Sequence, residues 1–262
     1  ARGLSPEAYG CALVGARAVV VSLYRTIARP VMHGVIACRM PASSTDDAFA
    51  PEAQAAARAV AAATPLLAAA VAARGLAVDG LVNNAGYSRT EGFVNAEPEA
   101  LEAMIRVMLT APVALSRLCA PAMVERGYGR ILNVASLAGR MPATGGDTLY
   151  GPIKSFLIKA SAGLHLEMRG TGVHVSALCP GYTLTEFHDV NGSRAEVSAA
   201  YPPWMWQTAE HVARVGWDAV EANRPQVTPG LINTALAALA KHLPDRLALN
   251  MVGGHARRLR RI

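Results

Sequence analysis

From residue 78 onward, short apolar runs alternate with longer stretches whose apolar residues recur every three or four positions. Residues 79–84 (Asp-Gly-Leu-Val-Asn-Asn) predict a buried strand that stops at Ala85-Gly86. Leu101, Met104, Ile105, Met108 and Leu109 keep helical spacing and predict a helix from residue 97 to about 126. A second strand is expected over 129–135, closing at Ser136, and a third over 173–178, stopped by Pro180-Gly181. Between them a Gly- and Pro-rich loop leads into a helix that holds Tyr150 and Lys154 and ends near Gly170 and Gly172. Residues 183–207 break the rhythm with Phe187, Tyr201, Trp204 and Trp206 and read as an irregular lobe. Thr208 then caps a helix to 222, a last strand is expected at 225–228, and a helix follows over 231–243. Strand and helix alternating in this way argue an α/β fold, a doubly wound parallel sheet between two helical layers. Ligands of such sheets gather at the carboxyl ends of the strands, where 83–86, Ser136 and Pro180-Gly181 all fall.

Length and composition narrow this picture. The 262 residues, 52% hydrophobic and 5% aromatic, fit one Rossmann-like domain over 1–262, with 183–207 as a lid and 255–262 as a basic tail. The formal charge is +6, of which Arg257, Arg258, Arg260 and Arg261 account for four, leaving +2 for the rest. No aromatic-interleaved basic stripe accompanies that tail, so no nucleic-acid partner is expected. Cys11, Cys38, Cys119 and Cys179 lack any Cys-x-x-Cys spacing and read as reduced thiols, not metal ligands, of a cytoplasmic protein. The Ala-rich stretch 55–73 is interrupted by Arg58 and Pro65, so no membrane span is expected, and no clear signal peptide is visible.

The candidate chemistry lies in Tyr150-Gly151-Pro152-Ile153-Lys154. On a helix this spacing puts the phenol and the ammonium on one face. A nearby positive charge is expected to draw the phenol's pKa down toward neutrality, fitting it for proton transfer to a carbonyl or alcohol oxygen. By itself the pair is also what a solvated helix face shows, and Ser136 could simply end a strand. Asn83 and Asn84 could be turn residues, and Thr185 could cap the next helix. His188, Trp204 and Trp206 could be packing residues.

Taken in order, these residues resemble the short-chain dehydrogenase/reductase family over roughly residues 75–250. Asn83-Asn84-Ala85-Gly86 is similar to the element that steadies the family's central strand and lets the adenosine ribose approach a glycine backbone. Ser136 resembles the substrate-orienting serine, fourteen residues before Tyr150, where thirteen is commoner. The resemblance implies an acid/base role for Tyr150. For Lys154 it implies a role in holding the nicotinamide ribose and lowering the phenol's pKa. Pro180, Gly181, Thr183 and Thr185 resemble the segment that packs on the nicotinamide, with Thr185 toward the carboxamide.

Two departures qualify the resemblance. Met108 stands where the family carries an asparagine that bends the helix and whose main-chain carbonyl holds a relay water, which implies an impaired relay. The family's Thr-Gly-x-x-x-Gly-x-Gly element is absent in full, and Ala1-Arg2-Gly3-Leu4-Ser5 resembles only its end. On that reading the first strand is missing, Tyr9 falls in a helix, and Gly15 to Val21 form the second strand. Asp46, Asp47, Ala62 and Ala63 offer no secure acid beside adenine. Ser22 to Arg25 would select the ribose; no acid occurs there, and Arg25 suits a 2′-phosphate, so NADP(H) is mildly favoured over NAD(H).

Two functions remain open. One is an oxidoreductase interconverting a carbonyl and a secondary alcohol, its aromatic lid suggesting an apolar small-molecule substrate. The other is a catalytically impaired binding or scaffold relative that lacks the glycine-rich loop. The resemblance also implies a homodimer or homotetramer, and the stripe from Leu101 to Leu118 is compatible with that and equally with core packing.

Overall fold

A computed structural model of the protein describes residues 77–89, 92–144, 146–185, 187–190 and 193–258, and the backbone of 9–11, 13–14, 17–22 and 35–38. The expectations placed on Ala1 to Ser5, Arg25, Asp46, Asp47, Ala62, Ala63 and 55–73 lie outside the described residues.

The centre is an eight-stranded sheet. Its members are β1 (Tyr9–Cys11), β2 (Leu13–Val14), β3 (Arg17–Ser22), β4 (Val35–Cys38), β5 (Ala77–Asn83), β6 (Gly129–Val134), β7 (Val173–Leu178) and β10 (Gln226–Val227). The order runs β1-β4-β3-β5-β6-β7-β10, with β2 beside β3. All neighbours from β4 to β10 are parallel, and β1 and β2 pair antiparallel to β4 and β3. The chain moves outward from β3 to β4, then returns to the other side of β3 as β5, so the winding reverses between β3 and β5. Ser22 and Asn83 lie opposite each other in register at that switch.

This arrangement corrects the expected amino-terminal register. Arg17–Ser22 lies directly against β5, in the place read as vacant, and Tyr9 belongs to a strand rather than a helix. The physical reason is the run Val19-Val20-Val21. A run of successive apolar residues belongs where both faces of a strand are covered, and the register sets Val20 beside Leu81 and Val21 beside Val82.

Helix α1 (Pro98–Ile105) starts with proline at its first position, where the missing N–H costs nothing. It continues through a π-helical turn, Arg106–Thr110, into α2 (Ala111–Glu125). Pro98–Glu125 is long and apolar enough to cross a membrane, with a mean hydropathy of 1.6 over an 18-residue window, yet half of that window is buried inside the fold. There Leu115, Cys119 and Met123 pack on Leu81, Ile131 and Val175 as a core helix. On the same core lie α3 (Tyr150–Glu167) and, on the opposite face, α6 (Ala209–Glu221), whose Val212 and Val220 meet Val82, Leu132 and Leu178. Thr208 caps α6 as expected, its hydroxyl accepting from the His211 N–H at 3.3 Å.

The lobe at 183–207 is built from β8 (Thr183–Leu184), α4 (Phe187–Val190), α5 (Arg194–Ala200) and β9 (Gln207–Thr208), with β8 and β9 pairing parallel. Helix α7 (Leu231–His242) precedes α8 (Asp245–Arg258). The expected tail therefore begins inside a helix, since Arg257 and Arg258 belong to α8.

Candidate active site

Asn83, the last residue of β5, turns its side chain inward. Its amide nitrogen lies 2.7 Å from Asn133 Oδ1 and 3.3 Å from Ser116 Oγ; Asn133 donates on to Ser161 Oγ at 2.8 Å. Ser161 in turn donates to Leu157 O at 2.6 Å. This buried chain ties β5 and β6 to the helices on one face and fixes where Asn84-Ala85-Gly86 emerges.

Ser136 follows β6 between two anchored neighbours. The Ala135 N–H donates to Leu178 O at 2.7 Å, and the Leu137 N–H to Pro180 O at 2.8 Å. The strand-end segments holding Ser136 and Pro180-Gly181 are thus tied together. The Ser136 hydroxyl accepts from the Ala138 N–H at 3.1 Å and is also hydrogen-bonded to the Tyr150 side chain, a bond that favours the phenolate. Gly139 closes this turn against α3. A β-carbon there would stand 2.6 Å from the Lys154 carbonyl carbon, so only glycine fits without a shift.

Tyr150 opens α3 and Lys154 lies one turn on. The ammonium stands 5.7 Å from the centre of the Tyr150 ring and donates to Val134 O at 2.8 Å. Gly86 approaches from the other side; a β-carbon there would lie 3.4 Å from Lys154 Nζ and 3.5 Å from Met108 Cε. Ala85 and Tyr150 pack in one cluster with Tyr87, Met104 and Met108. Met108 is fully buried, and its sulfur accepts from the Tyr87 N–H at 3.4 Å.

The electrostatics differ from the expectation for this pair. Burial pushes the Tyr150 phenol up to about 12, against the pull of the Ser136 hydrogen bond, and Asp147 adds to the rise. Burial also drives the Lys154 ammonium down to about 8. Removing either group from water disfavours its charged form, and desolvation is the largest cause of both shifts.

Of the cofactor candidates, Thr183 donates to Gly181 O at 3.1 Å, and Thr185 Oγ1 accepts from the Phe187 N–H at 3.2 Å, capping α4. Arg194 donates to the Thr185 carbonyl and lies 5.6 Å over the Trp206 ring. Gly181 faces Asn233, which a β-carbon would approach to 2.6 Å. Phe187 is the bridge from this lobe to the strand ends, its ring 6.0 Å from that of Tyr150.

The sequence profile of the short chain dehydrogenase family matches residues 43–195. The chain belongs to this family. Over 144 residues it is 35% identical to the NADP-dependent 3-hydroxy acid dehydrogenase YdfG of Escherichia coli strain K12, covering 53% of this chain and 58% of that one. Over 105 residues it is 39% identical to the ketoacyl reductase HetN of Nostoc sp., covering 40% and 36%. The chain thus spans no more than 58% of the length of these two curated relatives. Among solved structures, a short-chain dehydrogenase from Sphingobium yanoikuyae in complex with NADPH superposes with a TM-score of 0.54 at 25% identity, over 80% of this chain and 77% of that one. A 7β-hydroxysteroid dehydrogenase reaches 0.61 at 20% identity, over 84% and 78%, and shares the fold.

Within this family member, Ser136, Tyr150, Lys154, Ala85, Gly86 and Pro180 converge, whereas Thr183 and Thr185 belong to the lobe and reach Tyr150 through Phe187. Two residues at the site escape sequence reasoning. Tyr182 stacks on Tyr201 at 4.6 Å and meets Trp206 at 5.3 Å and His188 at 6.0 Å, making it the hub of the lobe. Asp147, buried on the loop before Tyr150, was read only as part of a Gly- and Pro-rich connection. Their signals were, respectively, an aromatic directly after Pro-Gly and a carboxylate three residues before the tyrosine.

Proposed function

We propose that the protein is an oxidoreductase that interconverts a carbonyl and a secondary alcohol, with Tyr150 as the proton donor and acceptor. The observation that carries this reading is the convergence of Ser136, Tyr150 and Lys154 at the carboxyl ends of the central strands. In the reducing direction the Tyr150 hydroxyl gives its proton to the carbonyl oxygen. Ser136 donates a hydrogen bond to the same oxygen and orients it. The phenol's high pKa suits this direction, since the acid form prevails at neutral pH.

A nicotinamide dinucleotide, when bound, supplies or accepts the hydride. The residues present fit its ribose end. Gly86 leaves open the space beside Lys154 Nζ that a side chain would fill, and an ammonium has three donors, of which Val134 O takes one. Pro180, Gly181, Thr183 and Thr185 would flank the ring. NADP(H) is favoured, a preference supported by the NADP-dependent relative; the reading from Arg25 falls with the amino-terminal register, since Arg17–Ser22 lies directly against β5. The rings of Tyr182, Phe187, His188, Tyr201 and Trp206 argue for an apolar substrate under a lid at 183–207.

The test is a fluorescence titration with NADPH and with NADH. Micromolar binding that Lys154→Ala abolishes supports the enzyme. No saturation at millimolar cofactor would favour the second reading, a binding or scaffold protein, whose support is the absent glycine-rich phrase.

A further inference from the structure

Asp147 is 7% exposed and holds three pieces of the site together. Its carbonyl oxygen accepts from Thr144 Oγ1 at 2.8 Å and from the Tyr150 N–H at 3.3 Å. Thr144 Oγ1 in turn accepts from the Gly151 N–H at 3.2 Å, which secures the first turn of α3. The carboxylate oxygen Oδ2 accepts from the Arg89 N–H at 3.0 Å, joining that turn to the loop that follows Gly86.

The groups around Tyr150 come from every element packed there. Ser136 stands at the end of β6, Lys154 on the next turn of α3, Tyr87 and Arg89 on the loop after β5, and His188 behind Phe187 on α4. Among the described residues of that set, Asp147 is the carboxylate. The Arg89 guanidinium is attracted to it and is itself partly desolvated, while the ammonium of Lys154 is engaged with Val134 O. The charge of the Asp147 carboxylate opposes the phenolate, a smaller influence than burial.

We propose that Asp147 is a positioning residue that pins the first turn of α3 to the loop after Gly86 and whose charge adds to burial in favouring the neutral Tyr150 phenol. The consequence is directional in pH. Reduction uses the phenol and oxidation uses the phenolate, so Asp147 widens the alkaline range of reduction and pushes the onset of oxidation to higher pH. The proposal rests on the acid/base reading of Tyr150, but its test does not need turnover.

Tyrosinate absorbance near 295 nm is followed in stopped-flow pH jumps, ahead of alkaline unfolding. Each protein is referenced to the same protein carrying Tyr150→Phe, so that only Tyr150 is read. Asp147→Asn keeps an oxygen for the Arg89 N–H and removes the charge. Its Tyr150 midpoint is expected below that of the native protein. Asp147→Glu keeps the charge and is expected to stay near the native midpoint. Where the NADPH assay shows turnover, the alkaline limb of reduction moves down with Asp147→Asn by the same amount. An unchanged midpoint in Asp147→Asn overturns the proposal whether or not the protein turns over. So does an equal fall in Asp147→Glu, which would mean that shape and not charge sets the phenol.

Discussion

Lys154 donates to the carbonyl oxygen of Val134 at 2.8 Å while only 3% of the residue is exposed. One end of α3 is thereby tied to the strand that leads to Ser136. The tie is made by a charged group that burial disfavours, which has a measurable consequence.

Burial lowers the Lys154 pKa from 10.5 to about 8. Between those values the unfolded chain carries a proton that the folded chain lacks, so this group makes stability rise with pH across that window. Lys154→Met is expected to erase the rise. The wild-type-minus-variant difference in unfolding free energy should grow by up to about 3 kcal/mol between the two pKa values. Urea midpoints of both proteins at pH 7.5 and at pH 10.5 read it. A constant difference would mean that the ammonium is well solvated in the folded state.

Tyr150→Phe keeps the ring against Phe187 and removes the hydroxyl. Turnover of a reducible apolar ketone is expected to fall by roughly 10²–10⁴-fold, the usual worth of a general acid. NADPH affinity should change by less than about threefold, because the ring and the ammonium remain in place. Equal loss of turnover and affinity would make the tyrosine a structural residue.

The Asn83–Asn133 bond, at 2.7 Å, joins the ends of β5 and β6 within the buried chain. Asn83→Ala leaves Asn133 Oδ1 buried without that donor and is expected to cost about 2–3 kcal/mol. Chemical denaturation measures it. A cost near zero would show that the two strand ends are held by their ladder alone.

Two glycines on or against α3 should respond in opposite senses. At Gly139 a β-carbon would meet main-chain atoms of Lys154 and Ser155 at 2.6 and 2.7 Å, so Gly139→Ala should lower the thermal midpoint and weaken catalysis. At Gly163 nothing lies within 4 Å, and Gly163→Ala should stabilise by about 0.5–1 kcal/mol through helix propensity. Stabilisation at both sites would refute the close packing of the Ser136 turn on the helix.

What was legible in the sequence depended on whether a residue's environment is local. The runs at Leu81-Val82 and Ile131-Leu132 read as strands because both of their faces are covered, and 173–178 does so through Val173, Val175, Ala177 and Leu178. Ser136, Tyr150 and Lys154 were legible because strand end and helix spacing bring them together almost by themselves. The pKa direction of Tyr150 was not, since it is decided by desolvation from elements distant in sequence. Tyr182 was missed for the same reason: its partners Tyr201 and Trp206 lie about twenty residues away and meet it only through the β8–β9 pairing. The central place of Arg17–Ser22 was hidden because the absent glycine phrase made the strand before it look lost, not replaced.

The π-helical turn at Arg106–Thr110 amounts to one surplus residue stored within an otherwise continuous helix. It lets the buried stripe of Ala100, Ala103 and Met104 continue in phase into that of Leu115, Cys119 and Met123. Were the helix to wind as α throughout at the same length, the second stripe would rotate by about 100° away from the sheet. Removal of one residue within the turn does the reverse, since it restores regular winding with both stripes still facing the core. The helix is therefore open to shortening by one residue at the very place where Met108 meets Tyr87, so the contour beside Gly86 and Lys154 can change without unseating the fold around it.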